Sequence, residues 1–443
     1  MKGIIIALAL GLTGAVAFAC NGGEGGPTAT PSVTRTAIAS PPASATASTS
    51  PSASPSATPG ATATATAAAA VQAEYPAKVS LTEPGAYLIR ADGSGLLRLA
   101  SGQGGFRTVW SPDGSHIAVA GVVGGAPGVS VIDVDGAAEV TVFDGSGRGP
   151  DFWVGKPLWS PDGRQLAVPA GPTDQLRADR WHTYLVNADG SGEPADLFLG
   201  SALEWSPDGA ALAFVQYSDK GVALNTFDLA SRTATVIERG AGSNSFAWSP
   251  DSQRMAYTTD PPFPSPQDLV IIDRDGWNRR VIAEGASDPK WSPDGKYLAF
   301  VDSSGWLTLA AVDTGADPVR LALGGIASWW SPEGDAILIR QASSLSLVSL
   351  ATHRRLEAID LAGRVPAGVG GFSVSADGER VVLTVSDPQN QIPEALFVMN
   401  IDGTGLQKLV ELSTGPSVGI TWGPEWSPDG LYIAFVVGRT AVS

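Results

Sequence analysis

The stretch "KWSPDGKYLAFV", residues 290–301, decides the fold. Ser-Pro-Asp-Gly has the residue order of a type I turn. Serine opens it, proline presets the second position, aspartate takes the third and glycine closes it. The residues that follow alternate as a strand does, with Leu298 and Phe300 on one face and Ala299 on the other. A tryptophan stands at the end of the preceding strand, large enough to fill a gap between two sheets.

The stretch is one of eight copies, starting at Trp110, Trp159, Trp205, Trp248, Trp291, Trp330, Val374 and Trp426. Successive copies lie 39 to 52 residues apart, room for four short strands and their turns. Six copies keep an alanine in the second strand: Ala118, Ala167, Ala213, Ala256, Ala299 and Ala434. A small side chain there lets a neighbouring sheet approach closely. A second hairpin follows most copies, turning at Asp135-Gly136, Asp189-Gly190, Asp275-Gly276 and Asp402-Gly403. Each unit therefore predicts strands A, B, C and D of one blade.

The chain ends set the number of blades. Residues 86–100, "AYLIRADGSGLLRLA", form a C–D hairpin with no A–B before it. The last motif is an A–B pair with no C–D after it. Together they make one blade, closing the ring and removing an exposed sheet edge. The fold expected is an all-β, eight-bladed β-propeller with terminal strands shared in one blade. A seven-bladed ring with the Val374 unit displaced is the alternative.

Trp-Ser-Pro-Asp-Gly, two variable residues, then hydrophobic-Ala-aromatic resembles the WD40-like (PD40) repeat of the TolB family. The same repeat occurs in the propellers of prolyl-oligopeptidase-type peptidases. The resemblance spans about residues 84–437. It implies a secreted envelope protein that binds other proteins through its propeller. The TolB-type amino-terminal domain is not evident here, so a TolB partner does not carry over.

In its place stand two other segments. Residues 1–19 read as a signal peptide, with Lys2, an apolar core to Val16, and Ala17 and Ala19 before Cys20. Cys20 is the only cysteine of the chain, and its position resembles a bacterial lipobox, which marks it for lipidation. Residues 20–75 are nearly all Ala, Thr, Ser, Pro and Gly. Such a segment cannot bury enough apolar surface to fold, so it reads as a disordered tether. Residues 76–443 hold the propeller.

The 443-residue chain has a net charge of −16 and a pI of about 4.6, which repels phosphate backbones and excludes nucleic acid as a partner. His116, His182 and His353 fall in different units without metal-ligand spacing, and no Gly-x-Ser-x-Gly nucleophile segment occurs. No cofactor or metal is expected. The "DGSG" runs at Asp92, Asp144 and Asp189 read as turns. "DVDG" at Asp133 and "DRDG" at Asp273 lack the later ligands of a calcium loop. Trp277 and Trp306 read as turn and strand packing.

In this topology the A–B and C–D turns share one face. The D–A and B–C connections share the other and vary: 144–157, 169–181, 260–268, 386–395 and 411–425. Long loops on a rigid scaffold are where binding concentrates. These carry Phe152, Trp153, Lys156, Arg177, Arg180, Trp181, Phe263 and Trp422, the candidate binding residues, several of which also suit a role capping the core. The function expected is non-catalytic: a monomeric, membrane-anchored envelope lipoprotein, in periplasm or on the cell surface, that binds an envelope or extracellular protein or a glycan. The alternative is an extracytoplasmic glycoside hydrolase or polysaccharide lyase with a channel site.

Overall fold

The computed structural model describes residues 79–439, apart from 82, 102–104, 124, 150, 174–179, 219–220, 240, 260–266, 325, 342–343, 362–363, 366–368, 387–392 and 413–417. The signal peptide, Cys20 and the tether lie outside the described residues.

Eight antiparallel sheets follow one another along the chain. Blade 3 shows the plan: Ser201–Trp205, Ala211–Ser218, Gly221–Asp228 and Thr233–Arg239, paired in that order. The middle strands B and C are buried almost throughout, whereas strand D exposes most of its residues. Strand D is therefore the outer edge, and strand A lies innermost, along the central channel. The unit at Val374 is a full blade, made of Val369–Val374, Arg380–Ser386, Pro393–Asn400 and Gln407–Leu412. The ring has eight blades, and the seven-bladed alternative fails.

The last blade is the shared one. Gly85–Arg90 pairs antiparallel with Tyr432–Arg439, with Ala86 opposite Val436 and Leu88 opposite Ala434. Before it, Val79–Leu81 adds a parallel fifth strand to the outer edge of blade 7, with Val79 opposite Val410 and Leu81 opposite Leu412. The amino-terminal segment thus stitches blade 7 to blade 8. This second stitch is not foreshadowed by the repeat.

The six recurring alanines are fully buried. The motif tryptophans fill the space between sheets and also bond across it. The indole N–H of Trp159 donates to the main-chain O of Val109 at 3.0 Å, and that of Trp205 to Leu158 O at 3.0 Å. Trp291 reaches Ala247 O at 3.1 Å, and Trp426 reaches Ser373 O at 3.1 Å. Each acceptor immediately precedes the motif tryptophan, or Val374, of the previous blade. Trp110 reaches Glu425 O at 3.2 Å, which joins the first copy to the last and closes the ring.

The motif aspartates serve their turns. In the first copy, Ser111 Oγ donates to Asp113 Oδ1 at 2.7 Å and accepts the His116 N–H at 2.9 Å. Bonds from the Ser111 hydroxyl, then from the Ser115 hydroxyl and N–H, hold the Asp113 carboxyl down at about 2. Asp144 and Asp189 likewise accept the N–H of the residue two positions on, as turn residues do.

Strand A is longer than the motif suggests. Phe152–Val154 and Trp422 are not loop. Phe152–Val154 pairs with Ala170–Pro172, and Trp422 lies in Val418–Trp426 opposite Val436. The ladder of strand B carries the pairing past the irregular stretch, through a bulge that recurs upstream of the motif in blades 3 to 8. Trp277 is also corrected: it is 73% exposed at a turn rather than packed.

Candidate binding face and channel

Phe152, Trp153 and Trp181 come together at the loop-face end of blade 2. Each lies against glycine backbone. A Cβ on Gly105 would fall 2.6 Å from Trp153 Cη2, and one on Gly171 would fall 2.8 Å from the Trp181 ring. Gly155 is nearly as close to Trp181, and Gly145 abuts Phe152. The Trp181 indole N–H donates to Pro172 O at 3.1 Å, which fixes the ring. Trp153 and Trp181 are both half-buried, with one side backed by main chain. Phe152 packs inward. It stacks on Phe143, with the Arg148 guanidinium 5.3 Å from its ring. Arg180 is exposed.

Lys156 stands apart from this patch. It sits between the two segments of blade 2 strand A and pairs with Glu425 of blade 8 at 3.7 Å. Blade 1 lies between those two blades, so the pair crosses the channel side of its innermost strand. Arg177 and Phe263 lie outside the described residues, and only the backbone of Trp422 is placed.

Around the channel, the position just before the motif tryptophan is the informative one. It holds Val109, Leu158, Glu204, Ala247, Lys290, Trp329, Ser373 and Glu425. Glu204 and Lys290 are exposed, yet the neighbouring blades crowd and desolvate both, as expected for side chains opening onto a narrow channel. That enclosure pushes the Glu204 carboxyl up to about 7 against the bond it accepts from the Trp248 N–H at 3.3 Å. It pushes the Lys290 ammonium down. Burial also lowers Arg107, on strand A of blade 1.

Glu204 and Lys290 also mark two of the three places where the ring of indole bonds breaks; the third is at blade 7, where Val374 stands in place of the tryptophan. The indole N–H groups of Trp248 and Trp330, in the blades that follow them, are buried with no partner among the described residues. The loop-length reading overlooks these channel residues. Charge at a position otherwise mostly neutral was the signal available in the repeat.

Three clefts open on the opposite face, among the regular turns. The first, about 520 Å³, lies between blades 1 and 2, lined by His116, Val131, Trp159, Arg164, Asn187 and Asp189 among others. A second, about 480 Å³, lies between blades 3 and 4 beside Arg254 and Arg274. A third, about 230 Å³, lies between blades 7 and 8 beside Arg380. No grouping of His, Cys, Asp and Glu able to hold a metal occurs among the described residues. No helix among them is long and apolar enough to cross a membrane.

A TolB homologue of Chlorobium chlorochromatii is 34% identical over 101 residues, 22% of this chain and 22% of that protein. The fold is a TolB-like β-propeller. An uncharacterized protein of Agrobacterium fabrum is 27% identical over 199 residues, covering 41% of this chain and 63% of that one. The chain thus spans less than two thirds of the first relative and about a fifth of the TolB homologue. Among solved structures, a prolyl endopeptidase aligns with a TM-score of 0.50 at 13% identity, covering 74% of this chain and 53% of that one. At that identity the likeness concerns the propeller alone. The chain matches no protein-family model.

Proposed function

We propose that this TolB-like propeller is a non-catalytic binding module of the bacterial envelope, held on a membrane by a lipid at Cys20. It takes a protein or glycan partner on its loop-rich face. The observation that carries the reading is the pair of tryptophans on blade 2. Trp153 and Trp181 are rigid, half-buried and backed by glycine, so they offer flat apolar surface with little side-chain entropy left to lose. Aromatic anchors of this kind contribute most of the binding energy at interfaces.

The test uses the full chain against an envelope-protein panel and a glycan array, comparing Trp153→Ala and Trp181→Ala with the parent. Each substitution is expected to weaken capture of the same partner at least tenfold while the unfolding midpoint moves little. Undiminished capture by both variants would remove the face assignment. Cys20→Ser tests the anchor separately: the variant should leave the membrane fraction for the soluble one.

One observation favours a second reading, a hydrolase or lyase working in the channel. The Glu204 carboxyl, held near neutrality, has the protonation range of a general acid. Turnover on a polysaccharide panel that is lost in Glu204→Gln would establish that reading.

A further inference from the structure

The repeat offers an internal comparison at the C–D turns. Three of them read Asp-Gly-Ser/Thr-Gly: residues 92–95 in blade 8, 189–192 in blade 2 and 402–405 in blade 7. Blade 4 has Asp275-Gly276-Trp277-Asn278 instead. The backbone is the same. Its second and fourth positions are left-handed, with φ of 79° and 65° at Gly403 and Gly405, and of 89° and 54° at Gly276 and Asn278. The third residue gives its N–H to the aspartate, Thr404 to Asp402 at 2.8 Å and Trp277 to Asp275 at 3.1 Å. Its carbonyl accepts the N–H of Asn400 or of Asp273, at 2.9 Å in both blades. In blade 4 the turn therefore closes on main-chain atoms of Trp277 alone, without its side chain.

The indole is left over. Trp277 is 73% exposed, more than any other large apolar side chain among the described residues. A ring that buries so little contributes little to folding, and most of it is open to a partner. The same turn lines the 480 Å³ cleft between blades 3 and 4 through Asp273, Arg274 and Asp275, beside Gln253. The two cations of that cleft are committed, Arg254 to Asp313 and Arg274 to Asp208, each at 2.7 Å. The turn carboxylates are held in place but not used up. Asp273 Oδ2 accepts the Asn278 amide at 2.6 Å and Asp275 Oδ1 accepts the Trp277 N–H, which leaves the second oxygen of each without a hydrogen bond among the described residues.

We propose that Trp277 and the cleft beside it bind a neutral oligosaccharide. The C–H face of one sugar ring stacks on the indole as apolar surface, and hydroxyls of the adjoining ring reach into the cleft. Sugar hydroxyls donate and ionised carboxylates only accept, so Asp273 and Asp275 match them. An acidic saccharide is disfavoured, because the cleft offers carboxylates and no uncommitted cation. The volume lies in the range of small-ligand sites. This site is on the turn face, away from Trp153 and Trp181, and stands independently of them.

The probes are cellohexaose, laminarihexaose, mannohexaose and N-acetylchitohexaose, with hexagalacturonate as the anionic control, each titrated by calorimetry into the full chain. Saturable binding of at least one neutral hexamer is expected, at least tenfold tighter than that of hexagalacturonate. Trp277→Ser installs the residue that blades 2 and 8 carry at this position, Ser191 and Ser94. It should weaken binding at least tenfold and leave the thermal midpoint unchanged. Gln253→Ala keeps the main-chain O that accepts the Arg274 N–H and should weaken binding severalfold. Trp153→Ala should leave binding unaltered, which separates this site from the loop face. No saturation by any neutral hexamer up to about 10 mM, equal affinity for hexagalacturonate, undiminished binding in Trp277→Ser, or loss of binding in Trp153→Ala alone would each overturn the proposal.

Discussion

At the scale of single residues, the motif serine does more than open a turn. Ser206 is fully buried. Its hydroxyl accepts the Ala211 N–H at 2.9 Å while donating to Asp208, so one oxygen ties the turn to the start of strand B. The equivalent serine is buried in all eight copies. In blade 6, Glu333 stands at the third turn position and Asp335, two residues later, receives the serine hydroxyl instead. Ser206→Ala leaves a buried N–H unpaired, which costs about 1–3 kcal/mol. Chemical denaturation should show a lower midpoint with an unchanged slope; an unaltered midpoint would mean the hydroxyl is dispensable. The turn itself is readable from Ser-Pro-Asp-Gly. The five-residue reach of the hydroxyl is not, because any small polar residue satisfies the local pattern equally well.

At the scale of elements, the hairpins and the shared blade follow directly from turn chemistry and the two unmatched ends of the chain. The upstream part of strand A does not. Glycines and prolines in 152–158 and 418–425 read as loop, yet strand B beside them is long enough to pair with both. The stitch at Val79–Leu81 is equally hidden, since three residues carry too little pattern to mark a strand. Leu81 is buried in the cluster that holds Leu396, Val410 and Leu412. Removing residues 1–83 should leave the Gly85–Arg90 pairing with Tyr432–Arg439 intact but uncover the outer edge of Gln407–Leu412. Unpaired edges of that kind recruit other chains. The truncated protein is expected to unfold at lower denaturant and to form larger species in light scattering. A monomer of unchanged stability would show that the fifth strand contributes nothing.

At the scale of the whole molecule, the ring is held by indole-to-carbonyl bonds passed from blade to blade, and these are missing at the seams preceding Trp248, Trp330 and Val374. The first seam carries Glu204, whose folded-state pKa near 7 lies above its ordinary value of 4.5. The folded protein therefore binds this proton more tightly than the unfolded chain does. Between those two values the contribution falls as pH rises, and above about pH 7 the full penalty of an ionised carboxylate in the channel is present. The turn aspartates act in the opposite direction and lower down. Asp113, held at about 2, favours the folded state above its ordinary value of 3.8 and loses that contribution as pH falls toward 2. Stability should therefore pass through a maximum on the acid side of neutrality. Glu204→Gln removes only the upper limb, since the amide keeps an acceptor for the Trp248 N–H without the charge. Its thermal midpoint at pH 8 should exceed the parent's by on the order of 1–3 °C, while the two proteins should coincide near pH 4.5. An identical pH profile for parent and variant would show that the Glu204 carboxylate is solvated by the channel as freely as it is in the unfolded chain.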